Sequence, residues 1–107
     1  MNKFTIELWE DVKILLDKGE KDSGNYLLYK TLYEETFENE NYDNCNEFMK
    51  FIIQKDINSI LIVLILNILS PSKEEFPYWD EFVEKCTEKL IEQKGEEYAK
   101  DLLKVIV

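Results

Sequence analysis

The chain has 107 residues, of which 45% are hydrophobic and 34% charged. That is enough for one core and too little for two, so residues 1–107 are expected to fold as a single ordered domain. All 13 bases are lysines, set against 23 acids for a formal net charge of −10, and histidine is absent. Without arginine's bidentate fork, and with a field that repels polyanions, direct binding to nucleic acid or to an anionic membrane is disfavoured and a basic partner is favoured. Without histidine, the Ser/His and Cys/His nucleophile pairs and the His-containing zinc sites are excluded.

Taken in order, Phe4, Leu8, Val12, Leu15 and Leu16 recur at spacings of three and four, with Glu7, Glu10, Asp11 and Asp17 between them, which predicts an amphipathic helix that Gly19 stops. Asp22 or Ser23 then caps a second helix, whose expected core stripe is Tyr26, Tyr29, Leu32, Tyr33 and Phe37 and whose end falls near Asn39. The run ENENYDNCN reads as a turn, because its Asn and acidic side chains compete for backbone hydrogen bonds. A short third helix from about Asn44 carries Phe48, Met49, Ile52 and Ile53, and QKD at 54–56 ends it. Asp56 is the expected N-cap of a buried central helix at about 57–69. Four β-branched residues within Ile60 to Ile65 make this the one place where a strand competes, but the run is long and has no turn signal. The only prolines, Pro71 and Pro77, mark Ser70 to Phe76 as the main loop, with Pro77 in the first turn of a fifth helix. That helix carries Trp79, Phe82, Val83, Cys86, Leu90 and Ile91 to about Lys94, Gly95 closes it, and Tyr98, Leu102, Leu103 and Ile106 line a last helix. The expected fold is all-α, a compact bundle of five or six short helices around the segment at 57–69.

Cys45 and Cys86 have no CxxC spacing and each falls on an apolar helical stripe, so both are expected to be free, buried thiols in a reducing compartment. The N-terminus lacks the basic flank and apolar core of an export signal, and the longest apolar run falls short of the ~20 residues that span a bilayer. A cytoplasmic protein is expected. The three glycines are isolated, so no phosphate-binding loop is present, and neither acidic stretch has the ligand pattern of an EF-hand. No cofactor, no metal site and no catalytic residue is assigned, and the chain is expected not to be an enzyme.

Two acidic groups remain. Glu34, Glu35, Glu38, Glu40, Asp43 and Glu47 follow one another with no lysine among them, and like charges one turn apart, as at Glu34 and Glu38, weaken a free helix by a few tenths of a kcal/mol. A face that seats against a basic surface would compensate for this, with Tyr33, Phe37 and Tyr42 as aromatic anchors. A solvated helix face over an aromatic core stripe is the structural alternative. The second group, Glu74, Glu75, Asp80, Glu81 and Glu84, surrounds Pro77-Tyr78-Trp79, where Asp80 and Glu81 also suit the N-terminal end of a helix dipole. Asp80, Glu81 and Glu84 are added to the candidate binding residues.

In size and charge, and in the stretch FPYWDEFVEKCTEKLIEQKGEEYAKDLLKVI, the chain resembles small acidic immunity proteins of bacterial contact-dependent growth-inhibition and other polymorphic toxin systems. The resemblance implies a cytoplasmic antidote, monomeric or weakly dimeric when free, that binds a cognate toxin domain, often a basic nuclease, and covers its active site or substrate groove. Two other classes fit the same residues: a nucleic-acid-mimicking inhibitor of a nuclease complex, and a helical adaptor whose charge is incidental.

Overall fold

The chain's most apolar segment lies at the centre of the fold, and only Ile60 and Asn67 of its helix are exposed. In the computed structural model, which describes residues 3–106, the order is α1 (Lys3–Asp17), α2 (Lys21–Tyr33), a π-helical turn (Glu34–Glu38), α3 (Tyr42–Ile52), α4 (Ser59–Leu69), a 3-10 segment (Ser70–Glu75), α5 (Trp79–Lys94) and α6 (Glu96–Ile106). No strand occurs among the described residues, so the fold is all-α. Helix α4 buries Leu61, Ile62, Ile65, Leu66, Ile68 and Leu69, each of which contributes about 1.5–3 kcal/mol by leaving water. Leu8 and Val12 of α1, Leu28 and Leu32 of α2, Cys45, Phe48, Met49 and Ile52 of α3, and Trp79, Phe82, Cys86 and Leu90 of α5 complete one hydrophobic core. Ala99 is the one buried residue of α6, which packs on α5 alone among the main element contacts. Among the described residues no helix is long and apolar enough to cross a membrane.

Side chains of α5 fasten the connections. Lys89 Nζ donates to the Lys55 carbonyl at 3.2 Å, and Gln93 Nε2 donates to the Ile57 carbonyl at 2.9 Å, which ties down the loop between α3 and α4. On the other side of α3, Asn46 Oδ1 accepts the Tyr78 backbone N–H at 3.0 Å, which sets the entry to α5.

Several expected boundaries move for local reasons. The central helix starts at Ser59, and its N-cap is Asn58, whose Oδ1 accepts the Leu61 N–H at 3.0 Å, not Asp56. Glu20 occupies the N-cap of α2 without a side-chain bond, so neither Asp22 nor Ser23 caps it. The loop after α4 is a 3-10 turn with Pro71 near its start, and Pro77 lies just outside α5, whose N-cap is Tyr78. Gly95 closes α5 at φ 92°, a backbone conformation open to glycine and strained for other residues.

The larger correction concerns α2. Its buried residues are Gly24, Leu28 and Leu32, whereas Tyr26, Tyr29, Tyr33 and Phe37 of the expected core stripe are exposed. Glycine favours this face: a Cβ at position 24 would come to 3.0 Å from Leu16 Cδ2, tight enough that the leucine would have to shift, so α1 packs closely where the side chain is absent. The stripe at intervals of four that contains this glycine packs on α1 and α4, and the aromatic stripe turns outward.

Candidate functional site

The acidic segment is organised around one carboxylate. Past Tyr33 the helix widens to π geometry, with the Asn39 N–H donating to the Glu34 carbonyl at 2.8 Å, and the Asn41 N–H then donates to the Glu35 carbonyl at 2.8 Å. The side-chain amides of Asn39, Asn41 and Asn44 donate to the Glu35 carboxylate at 3.2, 3.2 and 2.9 Å. Asparagines that read as turn formers are therefore a clamp, and Glu35 fastens the end of α2 to the start of α3. Beneath it, buried Thr36 Oγ1 and Cys45 Sγ form a hydrogen bond at 3.3 Å. Glu40 closes the turn at φ 52°, a left-handed conformation that side chains rarely adopt.

The remaining acids have different surroundings. Glu34 is half-buried and Glu38, Glu40 and Asp43 are exposed, and among the described residues none of their carboxylates takes part in a salt bridge or a side-chain hydrogen bond. Glu47, half-buried, pairs with Lys50 at 3.4 Å. Glu35 is thus the one member of the group committed to internal hydrogen bonds with the turn.

The two acidic groups meet at Tyr42. Its ring packs edge-on against Phe76 with centroids 6.0 Å apart, and partial burial, followed by the nearby carboxylates of Glu40 and Glu75, raises its phenol above the ordinary value. Glu40, two residues past the π turn, and Glu75 of the 3-10 segment therefore both act on one tyrosine. Tyr42 lines one shallow depression with Glu40, Asn41, Asp43 and Asn44, and Phe76 lines a second with Lys73, Glu74, Trp79 and Asp80. Glu81 lies near Tyr78, whose phenol is raised chiefly by burial and then by this carboxylate, and exposed Glu84 follows one turn later. Two separate patches in the sequence form one acidic seam in the fold.

Beside the seam runs an aromatic ladder. Tyr26, Tyr29, Tyr33 and Phe37 are 57%, 47%, 42% and 42% exposed. The rings of Tyr29 and Tyr33 stack at 6.0 Å and 16°, and those of Tyr33 and Phe37 tilt together at 4.9 Å and 44°. At ~1.5 Å per residue the ladder is about 16 Å long. Tyr26, Tyr29 and Glu75 are surface residues absent from the expected binding set. The competing stripe Gly24, Leu28 and Leu32 was the available signal for the first two, and no local signal places Glu75 beside Tyr42.

Neither thiol is prepared for chemistry. Burial holds both cysteines above the ordinary value, Cys45 with a partly offsetting hydrogen bond from Thr36, and Cys86 pushed up to about 12, so both stay protonated and weakly nucleophilic near neutral pH. Among the described residues no group of three or more Cys, Asp or Glu side chains is arranged to hold a metal ion. Compared with protein families, with curated proteins and with solved structures, the chain matches none.

Proposed function

We propose that this protein is an inhibitor of the immunity type, which acts by binding and not by catalysis, and which neutralises a cognate toxin domain with a basic surface, such as a nuclease, by seating its acidic seam over the toxin's active site or substrate groove in the cytoplasm. The observation that carries this reading is that Glu40 and Glu75, far apart in the chain, both act on Tyr42, whose ring packs on Phe76, with Asp43 lining the same depression as Glu40 and Tyr42, while Glu34 and Glu38 have no salt bridge among the described residues. Carboxylates arranged this way raise the association rate with a positive patch and reject acidic competitors. Aromatic residues among them supply the desolvated anchors on which interface affinity depends.

The test is capture of partners from the native host by the tagged chain at low salt, with the recovered proteins eluted by rising salt and identified. A single basic toxin domain that elutes as salt rises, and whose activity the chain suppresses, is the expected result. The variant Glu34→Lys/Glu38→Lys/Asp43→Lys/Glu75→Lys should keep its helical circular dichroism and lose the partner. Nanomolar binding by that folded variant would remove the seam from the mechanism, and a salt-insensitive partner would favour an adaptor.

A further inference from the structure

On the outer face of the segment from α2 through the π turn, two rows of side chains run in parallel. One is aromatic, Tyr33 and Phe37, with ring centroids 4.9 Å apart and both residues 42% exposed. The other is acidic, Glu34 and Glu38, one position on in each case and without a salt bridge among the described residues. Each row alone is undiscriminating: an exposed aromatic pair accepts any apolar side chain, and an acidic pair accepts lysine and arginine alike. Together they ask for a group that is cationic, planar and weakly hydrated.

We propose that Tyr33 and Phe37 with Glu34 and Glu38 form an arginine-reading site, on which a guanidinium of the partner lies against the aromatic rings while its N–H groups donate to the two carboxylates. This rests on the reading of the acidic surface as a docking face and specifies what that face selects. Guanidinium gives up water more readily than ammonium, stacks on aromatic rings, and offers a fork of donors in one plane, whereas lysine's compact, strongly hydrated ammonium keeps its shell and gains little from the rings. Exposed Lys30 stands one turn before Glu34 in the acidic row and repels a cation there, which draws the guanidinium toward Phe37 and Glu38. A shared guanidinium also relieves the repulsion between Glu34 and Glu38.

The experiment is calorimetric titration of the full chain, at low salt, with two peptides of equal length and charge, one carrying four arginines spaced by glycine and serine, the other four lysines in the same places. The arginine peptide is expected to bind about fivefold tighter. In Tyr33→Leu/Phe37→Leu, which keeps apolar bulk and removes the ring faces, the preference should fall below about twofold while affinity for the lysine peptide is nearly unchanged. In Glu34→Gln/Glu38→Gln both peptides should bind more weakly. Thermal melts by circular dichroism establish that each variant is folded, and Tyr33→Leu alone serves if the double variant is not. Equal affinity of the unaltered chain for the two peptides, or a preference that survives loss of the rings, would overturn the arginine site and leave the acidic docking face standing. Failure of both peptides to bind at low salt would overturn the docking face as well.

Discussion

Helices α2 and α4 both carry large apolar side chains and place them in opposite ways. Helix α4 is apolar on nearly every side, so most of its leucines and isoleucines enter the core whichever way it rotates, and Leu61, Ile62, Ile65, Leu66, Ile68 and Leu69 do so. Helix α2 carries two stripes, one of Gly24, Leu28 and Leu32 and one of Tyr26, Tyr29 and Tyr33, and only one can face inward. The smaller residues face inward because α1 packs closely at Gly24, and because a buried phenol would need a hydrogen-bond partner that an exposed one finds in water. Apolar content alone therefore decides burial only where no second face competes. Where two faces compete, steric fit decides and the losing stripe becomes a surface.

The sharpest test sets two neighbours on α2 against each other. Leu32 is fully buried and Tyr33 is 42% exposed. Leu32→Ala is expected to lower the free energy of unfolding in urea by about 2–5 kcal/mol, and Tyr33→Ala by less than about 1 kcal/mol. The reverse order would mean that the aromatic stripe is the buried one and that the ladder does not exist. Conversely, only the tyrosine variant should impair partner binding when both are folded.

The core side of the contrast can also be probed by alkali. Cys86 has a thiol raised from an ordinary 9.0 to about 12 by burial, so the folded state holds its proton where the unfolded chain releases it. That contribution to stability is fully present below pH 9 and is lost as pH rises toward about 12. Urea midpoints measured over this window should therefore fall more steeply for the unaltered chain than for Cys86→Ala. Parallel pH curves would mean that the thiol is solvated and that α5 does not bury it.

Within the acidic segment the same division recurs between Glu35 and Glu34. Glu35 accepts three asparagine amides, and Glu35→Ala should cost about 1–2 kcal/mol by releasing the join between α2 and α3. Glu34→Ala should be neutral or stabilising by a few tenths of a kcal/mol, since it removes repulsion with Glu38. If the two variants proved equally stable, the asparagine clamp would contribute nothing and Glu35 would rejoin the docking acids.

The sequence was most legible where one pattern stood alone. The central helix, the stop at Gly95, the buried cysteines and the stripe Trp79, Phe82, Cys86 and Leu90 follow from periodicity and glycine chemistry. Cap positions shifted by a few residues because Asp56 and Asn58 are both good caps and only the three-dimensional path chooses Asn58. The candidate site was half legible. Its acids were plain, but the division of labour among them depends on Asn39, Asn41 and Asn44 converging on Glu35, which spacing does not reveal. The packing of Tyr42 on Phe76, which brings Glu75 within electrostatic reach of the same tyrosine as Glu40, is a long-range contact that depends on how α3 packs against the segment before α5, with no local pattern to announce it.

The smallest expected effect bears on why the turn has the residues it has. Glu40 sits at φ 52°, where a side chain costs about 1 kcal/mol relative to glycine's ease. Glu40→Gly relieves that strain but adds backbone freedom to the unfolded chain, and the net gain in stability should be a few tenths of a kcal/mol. The same substitution removes one of the two carboxylates that act on Tyr42, so association with a basic partner should slow, and by more at low salt than at high salt. Stability and association are thus expected to move in opposite directions at this one position. A Glu40→Gly chain that is more stable and binds as fast would show that the acid at position 40 is incidental to docking; one that is more stable and slower would locate part of the seam's function at a residue held against the preference of its own backbone.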